Sequence, residues 1–197
     1  MKYPTFFDTI ETITLYDPLS EALGAFEKGE IVFSYLDVVK SAGHSCPTIA
    51  GAYLMVREGL KALYPNTIPT RGAIKVFLKE LQSEGTTGVV ANVFSLITGA
   101  TDHWGFKGLG SHYKRIDLMS FNAKIPLQVR MQRMDTGEFV DVAYNPNSID
   151  VEPLMQPLMQ KLLTETLNAE EKVLFSRLWQ ARVGKILEYF DKVITIK

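Results

Sequence analysis

One apolar stripe bounded by two prolines constrains the fold of this chain more than any other stretch. Pro47 suits the first position of a helix, and Pro65 predicts its end near Tyr64. Gly51 lies within this helix, where we expect it to allow close packing on a neighbour rather than to contact a ligand. Such a stripe must be buried against other elements. Its five members repeat at spacings of 4, 3, 4 and 3 residues: Ile49, Tyr53, Val56, Leu60 and Leu63.

Predicted strands and helices alternate through the first 150 residues. A helix is expected to begin at Asp17-Pro18, and Asp135-Thr136-Gly137 is typical of a hairpin turn. Residues 99–112 contain four glycines and predict a long loop. Further helices are predicted at residues 36–41 and from Thr86 or Thr87 to Gly99. The predicted strands are residues 12–16, 72–81, 115–121, 127–134 and 138–144.

The last third of the sequence is predicted to be helical, with helices at residues 152–166 and 169–191. Asn168, followed three residues later by Glu171, is typical of a capping box at the start of the second helix. We expect this helical tail to pack on the sheet or on a second copy of the chain, and we predict a homodimer that forms through it. The apolar stripe of the second helix is Phe175, Trp179, Val183, Ile186 and Phe190.

The composition excludes several classes of protein. The 197 residues include one cysteine, three histidines, 21 basic and 22 acidic side chains. A lone cysteine forms neither an intramolecular disulfide nor a thiolate-only zinc ribbon, and a net charge of -1 gives no electrostatic reason to bind nucleic acid. No apolar run approaches the roughly 20 residues of a spanning helix, and the N-terminus does not read as a signal peptide. We therefore expect a soluble cytoplasmic protein that binds neither nucleic acid nor membrane.

The strongest candidate for chemistry is residues 43–47, Gly-His-Ser-Cys-Pro. Cys46 falls at the N-cap of the predicted helix, where free N–H groups and the helix dipole favour a thiolate. His44 precedes it by two residues, and an imidazole with a thiolate forms half of a site for zinc or a similar divalent metal. A half-buried cysteine beside a capping histidine would explain the same pattern without a metal. Candidates for the remaining ligands are His103, His112, Asp102 and Glu84.

Three other hypotheses remain open. Cys46 could be the nucleophile of a thiol-dependent transferase or hydrolase, with His103 or His112 as its base. The chain could also be a metal-free interaction module. The glycine-rich residues 99–112 could hold a phosphate, but we favour a solvated loop because neither a GK[ST] sequence nor a strand-GxGxxG-helix context is present. The basic side chains near that loop are Lys107, Lys114 and Arg115.

The chain resembles a known family, beginning with the segment GHSCPTIAGAYLM. This segment is similar to the Gly-His-x-Cys-Pro signature of the FmdE family, named for a component of formylmethanofuran dehydrogenase, and to the glycine-containing helix that follows it. The later segment NVFSLITGAT resembles that family's helix ending in a Thr-Gly-Cys-Thr turn. The family's glycine-rich turn and closing strands correspond here to GFKGL and LQVRMQRMDTGEFVDVAYNP. The resemblance covers residues 30–145.

The resemblance implies an α+β fold, with a mixed β-sheet packed against helices, and a bound divalent metal, usually zinc. The metal would be held by His44 and Cys46. A cysteine of the family is replaced here by Ala100, so the ligand set would be completed by His103, by Glu84 or by a partner subunit, unless this chain has lost the metal. A metal with an open coordination position could polarise a carbonyl or activate water.

The family pattern also sets expectations for organisation and role. We expect a core at residues 1–150 and a helical extension at residues 151–197, which replaces the zinc ribbon of longer members. Val89 stands near another family cysteine, and Asn92 stands where an acidic residue is frequent. The expected role is accessory or an uncharacterised metal-dependent activity, and a small-molecule ligand is compatible with it. The resemblance assigns no catalytic residue and leaves open whether the chain is an enzyme.

Overall fold

The protein has an α+β fold, as predicted, in a computed structural model that describes residues 2–197. Its helices are α1 (Pro18–Ala22), α2 (Tyr35–Ala42), α3 (Pro47–Leu63), α4 (Thr87–Thr98), α5 (Met155–Leu163), α6 (Ala169–Glu188) and α7 (Phe190–Val193). Its strands are β1 (Ile13–Tyr16), β2 (Glu30–Phe33), β3 (Ile74–Leu78), β4 (Met119–Ser120), β5 (Val129–Arg133), β6 (Phe139–Tyr144) and β7 (Ile194–Ile196). Short 3₁₀ turns lie at Thr5–Thr9, Glu27–Gly29 and Pro146–Ser148.

Five strands form a mixed sheet in the order β4-β3-β5-β6-β7. β3 and β4 are parallel, and the other three pairs are antiparallel. The predicted hairpin joins β5 to β6, where Gly137 adopts a φ of +77° and donates its N–H to the carbonyl of Arg133. β1 and β2 form a separate antiparallel pair, and a bridge from Tyr16 to Thr70 connects this pair to the segment that leads into β3.

Helix α3 lies at the centre of the molecule and begins at Pro47, as the sequence predicted. It contacts α2, α4 and α6 as well as strands β5, β6 and β7. Twelve of its 17 residues are buried, including every member of the predicted apolar stripe. Burial extends beyond one stripe because other elements cover the helix on several sides. Tyr64 is its C-cap, which confirms the predicted end.

The strand predicted at residues 115–121 is wrong for most of its length, because only Met119–Ser120 pairs with β3. The preceding residues bond instead to the 101–106 loop. The N–H of Arg115 donates to the carbonyl of Phe106, and the N–H of Leu118 donates to the carbonyl of Thr101. Local alternation of side chains does not show which partner the backbone will take.

The helical tail returns to the sheet at its end. The helix predicted at residues 169–191 ends at Glu188, and after the single turn of α7 the chain forms β7. β7 pairs with β6, so that Ile196 lies opposite Val142 and Ile194 opposite Tyr144. Helix α6 also packs on α3. The extension therefore packs on the core, and it contributes an edge strand that the sequence pattern did not indicate.

The surface of the helical tail is notable for large apolar side chains. Leu154, Leu163 and Val173 are 57%, 76% and 71% exposed. Leu162 is also exposed on α5. Across residues 2–197, the helices lack the combination of length and apolar character that crossing a bilayer requires.

Candidate functional site

Residues 43–46 form the turn between α2 and α3, here called the motif turn. Gly43 ends α2 in the left-handed conformation (φ +76°) that glycine adopts easily, and its N–H donates to the carbonyl of Val39 at 2.9 Å. Cys46 is half-buried at the N-cap of α3, where its Sγ accepts the N–H of Ile49 at 3.5 Å. The predicted position of Cys46 at a helix start is confirmed.

The motif turn is held from behind by side chains of α2 and α6. Trp179 Nε1 and Gln180 Nε2 both donate to the carbonyl of Ser45, at 3.0 and 3.2 Å. The Tyr35 hydroxyl lies 2.9 Å from Ser45 Oγ. Sequence analysis placed Trp179 in an apolar stripe and missed its hydrogen bond, since a contact across 134 residues has no local signal.

His44 lines a cavity of about 390 Å³ between α2, α3 and α4, here called the His44 cavity. Its Nδ1 lies 3.0 Å from the carbonyl oxygen of Ala42. A carbonyl oxygen only accepts, so Nδ1 carries a proton, and in the neutral ring Nε2 then has the free lone pair. Val89 and Asn92 line the same cavity, as does Trp104.

A second cavity, of about 400 Å³, lies where α3 and α4 begin and is here called the Thr48 cavity. Met55, Leu78 and Val129 form its apolar floor. Thr86, the N-cap of α4, makes no capping hydrogen bond with its side chain. The cavity also has two carboxylates, and no Lys, Arg or His among the residues 2–197 lines it. Its polar lining comprises Thr48, Glu80, Glu84, Thr86, Thr87 and Gln128.

Tyr144 closes the Thr48 cavity against α3. Its ring lies over Gly51, where an added Cβ would stand 2.4 Å from the ring atoms, and this confirms that Gly51 permits close packing. The Gln128 side chain accepts the N–H of Tyr144 at 2.8 Å. The Tyr144 hydroxyl is buried without a hydrogen-bond partner. Burial raises the pKa of this hydroxyl, and the positive charge of Arg182 lowers the pKa by a smaller amount. The hydroxyl therefore stays neutral and can donate.

The histidines of the 99–112 loop lie on the surface. The side chain of His103 is 83% exposed, and its Nδ1 lies 2.9 Å from Asp102 Oδ2. Trp104 lines the His44 cavity, so this part of the loop borders it. His112 is also exposed, and its backbone pairs with Leu109 in a tight turn.

The predicted metal ligands lie in different places. Glu84 lines the Thr48 cavity and accepts the N–H of Leu81 at 3.0 Å, whereas His44 lines the other cavity. Ala100 is fully buried in the hydrophobic core and lines neither. Within residues 2–197, no three His, Cys, Asp or Glu side chains are grouped so that they could hold a metal ion. A structural zinc takes four ligands and a catalytic zinc three, so His44 and Cys46 by themselves would not complete a zinc site.

The geometry also bears on the thiol hypothesis. In the described residues, the hydrogen bond from the N–H of Ile49 is the only one that Cys46 Sγ makes, and none joins it to His103 or His112. A nucleophilic thiol needs its base within hydrogen-bond reach, although such bonds can be longer before substrate binds.

Comparisons with known proteins do not indicate a family or a function for this chain. No protein-family model matches the chain, and a comparison with curated proteins finds no match. Membership of the FmdE family therefore stays a prediction from the motif.

Proposed function

We propose that this protein binds a small molecule in the Thr48 cavity. The observation that carries the proposal is one cavity of about 400 Å³ that joins an apolar floor to the first turns of two helices. Ligand sites in proteins commonly have this volume and this combination of apolar walls with a few convergent polar groups. The Thr86 hydroxyl is not used to cap α4, and Thr48 and Thr87 add further hydroxyls to the lining.

The lining also limits the charge of the ligand. Glu80 and Glu84 would repel an anion, and no basic side chain among residues 2–197 lines the cavity to offset them. The apolar floor of Met55 and Val129 favours a hydrocarbon or aromatic part. The proposed ligand is therefore a partly apolar molecule without net negative charge that carries a hydroxyl or an amino group.

Three probes of equal size test this proposal: benzyl alcohol, benzylamine and benzoate. We expect saturation-transfer NMR to detect the alcohol and the amine on the protein, and benzoate to bind at least several-fold more weakly. Val90→Phe fills the cavity and should abolish binding of all three. Glu84→Gln should improve benzoate binding, whereas the exposed control Glu152→Gln should leave it unchanged. Equal binding to wild type and Val90→Phe would refute the site, and equal binding of the three probes would refute the charge preference.

A second candidate function is zinc binding at His44 and Cys46, in an accessory role like that implied by the family resemblance. Two observations favour it. The bond between His44 Nδ1 and the Ala42 carbonyl is the arrangement that orients metal-binding histidines and leaves Nε2 free. Val89, which stands near a family cysteine, and Asn92, which stands where an acidic residue is frequent, line the same cavity as His44. His103 or a second copy of the chain would have to add further ligands, since two donors do not complete a zinc site.

Zinc titration by calorimetry tests this second candidate. We expect wild type to bind zinc, and His44→Ala or Cys46→Ser to lose at least tenfold in affinity, or about 1.4 kcal/mol. The control His112→Ala removes an exposed histidine outside the His44 cavity. Val89→Cys with Asn92→Asp should strengthen zinc binding if the family's ligand positions are conserved in space. Unchanged affinity in all of these variants would dismiss the metal site.

We also propose that the protein forms a homodimer through its helical tail and works in the cytoplasm. The exposed apolar side chains of Leu163 and Val173 support the first proposal, because two copies could bury them together. The single free cysteine, Cys46, is compatible with a reducing compartment.

A further inference from the structure

A third cavity, of about 400 Å³, lies at the opposite end of α4 and is here called the Arg115 cavity. It is bordered by the segment that leads into β3 and by the segment of residues 111–118. Four of its lining side chains are cationic: Arg71, Lys75, Lys114 and Arg115. The concentration of positive charge contrasts with the Thr48 cavity, which has carboxylates and no basic residue in its lining.

The Arg115 guanidinium is buried, but only one of its nitrogens makes a hydrogen bond among the described residues. The side chain is 7% exposed, and its Nη2 lies 2.6 Å from Asp17 Oδ1. Among the hydrogen bonds of residues 2–197, this is the only one that the Arg115 side chain makes, and its Nε is buried without a partner. A guanidinium has five donors in a planar fork that fits an oxyanion. The buried Nε is out of reach, but Nη1 makes no hydrogen bond among the described residues, so Arg115 retains a donor for an oxyanion.

The neighbouring charges leave an excess of positive charge. Asp17 is shared, because its Oδ2 also pairs with Arg71 Nη1 at 2.9 Å. Among residues 2–197, Asp117 is the only acidic residue that lines the Arg115 cavity. Four cations against Asp17 and Asp117 leave a formal charge of +2 around the cavity.

The backbone around the cavity is shaped to admit the Arg115 side chain. Gly72 has a φ of +81°, and a Cβ there would lie 1.4 Å from Arg115 Nη1. Tyr113 and Asp117 both adopt left-handed conformations, with φ of 61° and 60°. Such conformations are uncommon for tyrosine and often occur at functional sites. The Tyr113 and Ser111 hydroxyls add neutral donors to the lining.

From these observations we infer that the Arg115 cavity binds the oxyanion group, phosphate or carboxylate, of a small molecule. Arg115 forms the buried wall, and Lys75 and Lys114 form the exposed rim that attracts the anion. Arg71 is half-buried and contributes charge, because its guanidinium nitrogens already donate to Asp17, Leu96 and Ile97. The site is separate from the Thr48 cavity, so this inference is independent of the proposed function. It also gives Lys114 and Arg115 a role, together with Arg71 and Lys75, whereas Lys107 does not line the cavity.

The experiment measures binding of inorganic phosphate and of malonate by calorimetry, with NaCl adjusted to constant ionic strength because salt screens exposed charges. We expect saturable binding of at least one anion. The double variant Lys75→Gln/Lys114→Gln removes two rim cations and should bind at least about tenfold more weakly, which is the least that the loss of a charge-assisted hydrogen bond would cause. The double variant Lys124→Gln/Lys172→Gln removes the same charge from exposed positions outside the cavity and should bind like wild type.

The pattern of anion binding identifies the group that the Arg115 cavity prefers or overturns the inference. Binding of phosphate alone identifies a phosphate site, and binding of malonate alone identifies a carboxylate site. The inference is overturned if neither anion binds, if Lys75→Gln/Lys114→Gln binds like wild type, or if both double variants lose the same affinity. Arg115→Ala is avoided as the main test, because it would leave the buried Asp17 carboxylate with one partner fewer and could prevent folding.

Discussion

At the residue scale, Gly51 determines how closely strand β6 approaches helix α3. The Tyr144 ring occupies the space where any other residue at position 51 would have a Cβ. Because the same ring lines the Thr48 cavity, the packing of one glycine shapes the proposed ligand site.

We predict that Gly51→Ala destabilises the protein by about 1–3 kcal/mol, the usual effect of overpacking a core. The gain in helix propensity from glycine to alanine, about 1 kcal/mol, would not offset it fully. Gly184→Ala in α6 is the matched control, since its nearest neighbour, Phe6, lies 3.8 Å from the added Cβ and only the propensity gain should appear. Urea denaturation measures both. Equal stability changes in the two variants would contradict the packing role of Gly51.

Asp17 is the second residue with a large structural effect. It caps α1 by accepting the N–H groups of Leu19 and Ser20, and it pairs with both Arg71 and Arg115. Burial alone would raise its pKa, but the hydrogen bond from Arg71 and the charge of Arg115 outweigh burial, so the pKa lies below its ordinary value of 3.8. The stabilisation from Asp17 is therefore present above the unfolded pKa and is lost as pH falls through the lower folded pKa.

Asp17→Asn keeps a capping side chain and removes the charge. At pH 7 we expect its free energy of unfolding to be about 3 kcal/mol lower than that of wild type, because the Arg115 guanidinium loses its buried partner. The difference should narrow as the pH falls below about 4, where the carboxyl of the unfolded chain begins to protonate, and it should vanish below the lower folded pKa. Urea titrations from pH 7 to pH 3 measure this, with the exposed Asp150→Asn as control. A difference that does not change with pH would show that charge is not the cause.

At the scale of elements, helix α6 supports the motif turn. Its side chains Trp179 and Gln180 donate to one carbonyl, that of Ser45, directly before the N-cap cysteine of α3. The capping box predicted at Asn168 and Glu171 is confirmed, so α6 begins where the sequence indicated. A helix of the C-terminal tail thus positions a motif more than a hundred residues earlier.

Trp179→Phe tests this support because it keeps an aromatic ring and removes the indole N–H. We expect a loss of about 1 kcal/mol in unfolding free energy. We also expect faster alkylation of Cys46 by iodoacetamide, since the motif turn becomes less constrained. Tyr189→Phe, at the exposed C-cap of the same helix, should change neither quantity. Unaltered alkylation in Trp179→Phe would contradict the support of the motif turn by Trp179.

At the scale of the whole molecule, the helical tail has two different surfaces. One surface packs on α3 and ends in β7, which completes the sheet. The other exposes Leu163 and Val173, which a monomer leaves in contact with water. This second surface is the proposed dimer interface.

Light scattering at micromolar concentration tests the dimer. We expect a particle of twice the 22.1 kDa chain mass, and Leu163→Glu with Val173→Glu should reduce it to a single chain. Lys124→Glu, far from the tail in sequence and exposed, serves as the control for added negative charge. A wild-type particle of 22.1 kDa would contradict the proposed homodimer.

Local patterns in the sequence predicted much of this protein. The apolar spacing of α3, the N-cap position of Cys46 and the Asn168 capping box all depend on residues within a few positions of one another. The hairpin at residues 135–137 belongs to the same class, because its turn is defined by its own residues. These features could be predicted from the sequence because short-range sterics and hydrogen bonds determine them.

Only the tertiary structure decided which distant segments meet. It placed His44 and Glu84 in different cavities, joined Trp179 to Ser45, and brought Asp17 to Arg115 across 98 residues. It also replaced most of the predicted strand at residues 115–121 with bonds to a neighbouring loop. Such contacts depend on how complete elements pack, and no local spacing contains that information. The sequence therefore determined most of the elements and the motif, while packing decided which strands pair at the sheet edges and which side chains share a site.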